Sequence, residues 1–205
     1  MKINLKPTSK QYKALSELSI TNNESRFILF GGGAGSGKSW LGVEWLLTSA
    51  LAYPKTRYFI GRNELKRLMS STYVTFLKVC AHHNIPHSIW KLNGQYNYIE
   101  FTNGSRIDLL DVQFQPRDPL YERFGSTEYT SGFLEEAGEM DFGAFDVLKS
   151  RIGRHMNKEY GIPPKIYLSC NPKKCWLYEL FYKKWKNNTL PEGYVYIPAL
   201  SLIHI

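Results

Sequence analysis

The sequence predicts an α/β protein built as a three-layer sandwich, with a mostly parallel central sheet and one inserted antiparallel hairpin. Three observations carry that prediction. Short apolar runs alternate with helical patterns along most of the chain, as parallel sheets with crossover helices require. A glycine-rich turn joins the first apolar run to the first long helical pattern. An Asn-Gly turn separates two alternating segments further on, which a purely parallel sheet would not need.

Pro7, Thr8 and Ser9 followed by Lys10-Gln11-Tyr12 read as a helix start, with Ser9 or Thr8 as N-cap and Leu15, Leu18 and Ile20 facing the core. Gln11 has two equal readings here. Its amide carries both donor and acceptor and can read an adenine edge, or it is a surface helix residue. Arg26-Phe27-Ile28-Leu29-Phe30 is a buried strand. It runs into Gly32-Gly33-Ala34-Gly35-Ser36-Gly37-Lys38-Ser39, which fits the phosphate-loop pattern at every required position.

Strand, glycine loop and helix are what phosphate binding needs. The glycines allow a tight turn that points successive N–H groups at an anion, and the helix N-terminus adds free donors and a positive dipole end. Lys38 would reach the β- and γ-phosphates, and the Ser39 hydroxyl would ligate Mg²⁺. The loop therefore predicts a nucleoside triphosphate as ligand.

Tyr58-Phe59-Ile60-Gly61 is the second parallel strand, ended by Arg62 and followed by a helix running toward Cys80. Ligands of open α/β sheets bind at the C-terminal ends of strands. Arg62 is thus placed near the site, with a helix-capping or DNA-facing role equally open. Residues 97–101 and 106–112 flank Thr102-Asn103-Gly104-Ser105 as the hairpin. An irregular stretch from 113 to 126 contains Arg123.

The strand over 129–134 ends in Glu135-Glu136-Ala137. In a phosphate-loop site, one such carboxylate holds the water shell of Mg²⁺ and the next orients and deprotonates the attacking water. The bland alternative is an acidic pair capping the next helix. Residues 140–152 have helical spacing, closed by Arg151 and Arg154. Lys165-Ile166-Tyr167-Leu168-Ser169 is a further strand, ending at Cys170-Asn171-Pro172, where a polar Ser169 or Asn171 can sense a γ-phosphate. An amphipathic helix over 176–185 and a last strand over 194–197 follow. Loop and acidic pair together describe a P-loop NTPase of the ASCE type.

The bulk properties agree. An apolar fraction of 43% supports a full core rather than disorder, and a net charge of +8 favours an anionic partner, nucleic acid first. Cys80, Cys170 and Cys175, with His82 and His83 near the first, lack zinc-site spacing and read as structural, reduced residues. There is no apolar run of about 18 residues and no leader-like N-terminus, so no membrane partner is expected.

Together these segments resemble the ATPase domain of the large terminase subunit of tailed bacteriophages, the motor that packages DNA into a prohead. The matching pieces are Pro7-Thr8-Ser9-Lys10-Gln11, residues 32–39, residues 58–62, the Asn-Gly hairpin, Leu134-Glu135-Glu136-Ala137 and Leu168-Ser169-Cys170-Asn171-Pro172. The resemblance implies that Gln11 contacts adenine, Glu135 helps hold Mg²⁺, Glu136 is the catalytic carboxylate, and residues 169–171 couple hydrolysis to motion. Glu135 stands where most relatives have Asp, so direct and water-mediated Mg²⁺ contacts are both open. An arginine completes each site, with Arg123 first by its position before the acidic strand and Arg62 second.

The resemblance further implies double-stranded DNA, a homo-oligomeric ring, a portal protein and a small terminase subunit as partners, in the host cytoplasm. It assigns residues 1–199 to the ATPase domain. The family's nuclease domain is expected to be absent, and residues 200–205 look like a non-native tail. Two rivals remain: a helicase-like nucleic-acid-dependent ATPase, and a nucleotide-binding scaffold without turnover.

Overall fold

In the computed structural model, which describes residues 7–33 and 35–199, the apolar runs become strands of one sheet. Ala34 of the phosphate loop and residues 200–205 lie outside the described residues. The strands are β1 (Phe27–Gly32), β2 (Arg57–Arg62), β3 (Trp90–Asn93), β4 (Tyr98–Phe101), β5 (Arg106–Asp111), β6 (Ser131–Leu134), β7 (Ile166–Cys170) and β8 (Tyr194–Ala199). Their order is β3-β4-β5-β2-β6-β7-β1-β8. From β5 to β8 every pair is parallel, and β3-β4 and β4-β5 are antiparallel.

The helices are α1 (Ser9–Leu18), α2 (Lys38–Ala52), α3 (Leu65–Arg67), α4 (Tyr73–His82), α5 (Phe142–Lys149), α6 (Asn157–Tyr160) and α7 (Lys184–Lys186). A π-helical turn, Leu68–Thr72, joins α3 to α4, and a second, Tyr178–Lys183, leads into α7. Thr8, not Ser9, caps α1: it forms a capping box with Gln11, each bonding the other's backbone N–H.

Strand alternation sets the layers. Ile28, Phe30, Tyr58 and Ile60 pack on one face with Ala14, Leu46 and Phe76 of α1, α2 and α4. Leu29, Phe59, Leu134 and Leu168 pack on the other with Phe145, Leu148 and Phe181. The helix after the phosphate loop lies very close to the sheet. A Cβ at Gly42 would stand 2.7 Å from the Phe133 ring.

The Asn-Gly hairpin forms as expected, with Gly104 at φ 84° and the Asn103 side chain accepting from the Ser105 N–H at 3.0 Å. Strand β3 was not legible. It is four residues long with only Trp90 fully buried, too short for alternation to register. The helix expected over 140–152 is shorter. Asp141 caps α5 by accepting from Gly143 N–H at 2.7 Å, and the helix ends before Arg151, which instead bonds the Gly125 carbonyl.

Candidate active site

Chain path decides where a site can form. From β1 the chain crosses through α2 to β2, three places away, and β6 and β7 later fill the gap. The C-terminal ends of β1, β6 and β7 therefore meet in one crevice. The phosphate loop leaves β1, Glu135 and Glu136 leave β6, and Asn171 leaves β7.

The loop needs its glycines at particular places. Gly35 and Gly37 have φ of 78° and 75°, the left-handed region that glycine enters without penalty. A Cβ at Gly37 would also collide with the Gln11 amide. Lys38, only 5% exposed, opens α2 and folds its side chain back over the loop. Its ammonium donates to the Gly32 and Gly33 carbonyls at 2.7 and 2.8 Å, to Ser36 Oγ at 3.1 Å and to Asn171 Oδ1 at 3.3 Å. Burial pulls its pKa below the usual lysine value, while Glu136, Cys170 and Glu135 push the other way.

The two glutamates diverge. Glu135 continues the strand and is 2% exposed. Its carboxylate accepts from the Thr72 hydroxyl and lies 3.5 Å from Arg62 Nη1. Burial raises its pKa, and the Ser39 hydroxyl, Arg62 and Lys38 oppose that rise. Glu136 sits at φ 49°, ψ 46°, a left-handed conformation costing a non-glycine residue about 1–3 kcal/mol. That turn sends its carboxylate away from Glu135 and toward β7. Its N–H donates to Ser169 Oγ at 3.2 Å.

Asn171 joins the two halves. Its Nδ2 donates to both Glu136 oxygens, at 3.1 and 3.0 Å, while its Oδ1 accepts from Lys38. Charge fixes this orientation, since a flipped amide would set NH₂ against ammonium and C=O against carboxylate. Lys38, Ser39, Glu136 and Asn171 line one cavity of about 520 Å³ with Gly35, Ser36 and Gly37. Among the described residues no group of three or more His, Cys, Asp or Glu is placed to hold a metal ion. A hydroxyl and a nearby carboxylate, Ser39 and Glu135, are nevertheless the sparse donor set that suits Mg²⁺, which keeps waters and phosphate oxygens in its shell.

Other expected residues are placed differently. Gln11 Nε2 donates to the Gly37 carbonyl at 3.4 Å and its Oε1 accepts from Thr8 N–H at 2.9 Å, so the amide ties α1 to the loop. It borders a smaller cavity of about 250 Å³ with Pro7, Trp40, Leu41, Glu44 and His82. Arg62 belongs to the site through Glu135, and it also donates to Ser71 Oγ at 2.8 Å. Arg123 does not line the cavity. It bonds Asp118 and the Gln113 carbonyl, both at 2.6 Å, and lies over the Phe124 ring. Sequence reading missed Thr72, which the π-helical turn carries onto Glu135. A Ser-Ser-Thr run within an amphipathic helix gives no signal of that contact.

Comparison with known proteins points to the same fold. A search of curated sequences gives no match. Among solved structures, the large terminase of a thermophilic bacteriophage, in complex with ADP, superposes with a TM-score of 0.71 at 13% identity, covering 94% of this chain and 45% of that one. The HK97 bacteriophage large terminase gives 0.65 at 10% identity, over 93% of this chain and 39% of that one. The large terminase ATPase domain of Thermus phage P74-26 gives 0.58 at 14% identity, over 96% and 86%. These likenesses are of fold. The chain spans less than half the length of the first two of these proteins. The family profile described as phage terminase large subunit matches residues 23–199. The chain thus belongs to the phage terminase large subunit family.

Proposed function

We propose that residues 1–199 are the ATP-hydrolysing motor domain of a terminase large subunit, driving double-stranded DNA into a prohead in the host cytoplasm. The observation that carries this reading is the Lys38–Asn171–Glu136 chain of hydrogen bonds across the ends of β1, β7 and β6. It places a cation and a carboxylate on one cavity beside a phosphate loop.

In this reading the loop N–H groups and Lys38 hold the phosphates. Ser39 and Glu135 would hold Mg²⁺, which would supply charge neutralisation to the phosphates. Glu136 orients a water molecule and takes its proton as the water oxygen bonds to the γ-phosphorus. The bond to the bridging oxygen breaks, and Lys38 stabilises the charge that collects on the departing ADP. Asn171 is placed to register the change, because its amide already spans the groups on either side of the reaction. Gln11, which borders a second cavity, would contact adenine in this reading. An arginine would complete each site in a homo-oligomeric ring: Arg123, paired with Asp118 in its own chain, or Arg62, beside Glu135. The ring would work with a portal protein and a small terminase subunit.

The test is steady-state ATP hydrolysis with and without double-stranded DNA, for the wild-type chain and for Lys38→Ala and Glu136→Gln. Turnover lost in both variants, with DNA stimulating the wild type, is the expected result. Nucleotide binding with no turnover in any sample, including one in which subunits assemble, would leave a scaffold and sink the motor reading.

A further inference from the structure

Half of the chain's net charge is gathered in one short segment. Residues 173–186 hold five lysines and one glutamate, a net +4 of the chain's +8. Glu179 is taken by Lys183 at 2.9 Å. Among the described residues, Lys173, Lys174, Lys184 and Lys186 form no ion pair. Lys173, Lys174 and Lys186 are exposed.

The fold keeps these charges together. Tyr178 stacks on Tyr182, and both Tyr182 and Trp185 pack against Tyr196 of β8, which fixes the segment to the sheet. Lys173 and Lys174 line a second cavity of about 520 Å³ with Tyr178 and Tyr182. Asn171 lines that cavity as well as the one at the phosphate loop. It is the joint between the two.

We propose that residues 173–186 form the surface that contacts the phosphate backbone of double-stranded DNA, adjoining the site through Asn171. This rests on the reading of the chain as a DNA motor. Four lysine point charges without fixed partners suit phosphates rather than base edges, so the contact is indifferent to sequence and depends on salt. A load on this segment lies one residue, Pro172, from the amide that bridges Lys38 and Glu136. DNA engagement and hydrolysis would thereby share one structural joint.

The experiment uses a short fluorescein-labelled duplex of mixed sequence, titrated by anisotropy from about 50 to about 200 mM salt. Lys184→Glu/Lys186→Glu is compared with Lys55→Glu/Lys158→Glu, an equal charge change at the other end of the strands. There His155 and Tyr160 bond the carbonyls of Lys55 and Pro54. Thermal unfolding checks that both variants are folded. The first pair should weaken binding about tenfold and lower the log–log salt slope by about two, and the second should do neither. Equal effects from both pairs, or none from the first, would overturn the assignment while leaving a DNA motor intact. Wild-type chain that binds no duplex at any salt would overturn both. Loss of self-association in the first pair, with duplex binding unchanged, would make the segment a subunit interface instead.

Discussion

Two lysines are almost fully buried among the described residues, and they lie at opposite ends of the strands. Lys38 follows β1 at 5% exposure, and Lys165 precedes β7 at 1%. Both donate to two backbone carbonyls: Gly32 and Gly33 for Lys38, Asn22 and Ser25 for Lys165. Burial lowers the pKa of both, Lys165 to about 8. By depth, partners and titration they look alike. They differ in what lies beyond the carbonyls. Lys38 faces a cavity, an amide and two carboxylates. Lys165 has loop backbone, the charge of Glu17 and a pocket of only about 10 Å³. A buried, shifted lysine is therefore no mark of chemistry by itself; its neighbours must also hold charge in an accessible space.

The largest expected effect separates the two by activity. Lys38→Met should lower the rate of ATP hydrolysis by about 10²–10³-fold, the loss typical when one preorganised charge stabiliser is removed. Lys165→Met should keep the wild-type rate. Phosphate release measured on both variants decides it. A folded Lys165→Met chain with the same loss as Lys38→Met would erase the distinction.

A smaller effect concerns Arg62, the cation nearest the buried carboxylate. Removing it by Arg62→Ala leaves Glu135 with less opposition to burial, so its pKa rises further. If ionised Glu135 holds Mg²⁺, the half-saturating Mg²⁺ concentration should rise about tenfold, as for lost second-layer support of a metal ligand. The acidic limb of the rate profile should move to higher pH. An unchanged Mg²⁺ titration would remove Glu135 from the metal site.

Much of this comparison was open to sequence reading, and part was closed to it for physical reasons. That residues 32–39, 135–136 and 171 stand at strand ends was legible, the loop because its glycine, lysine and hydroxyl spacing marks a turn between strand and helix, the others because polar residues end apolar runs. The parallel strands were legible because they are buried on both faces and read as continuous apolar runs. Thr72 was not, since its contact depends on a π-helical turn that shifts register in a helix of ordinary composition. Nor was the double duty of Gln11. Its capping box is local and readable, but its bond to Gly37 depends on how α1 packs. Lys165 was read only as the start of a strand, because a lysine that serves loop carbonyls has no spacing rule to announce it.

The finest test of the comparison is the pH dependence of stability. In the unfolded chain a lysine titrates near 10.4, and in the folded chain Lys165 titrates at about 8. Between those values the unfolded state binds more protons, so stability rises with pH across that window. The wild type should therefore gain on Lys165→Met from about pH 8 to about 10.4, by about 1–3 kcal/mol once the amine is neutral and still donates to Asn22 and Ser25. Lys38 is lowered in the same direction but is present in both chains, and its contribution cancels in the difference. Urea unfolding of the two proteins at a series of alkaline pH values measures the gap. A gap that narrows as pH rises would mean that Lys165 is held as a cation, making it the stronger ion site of the two and reversing the contrast drawn from their surroundings.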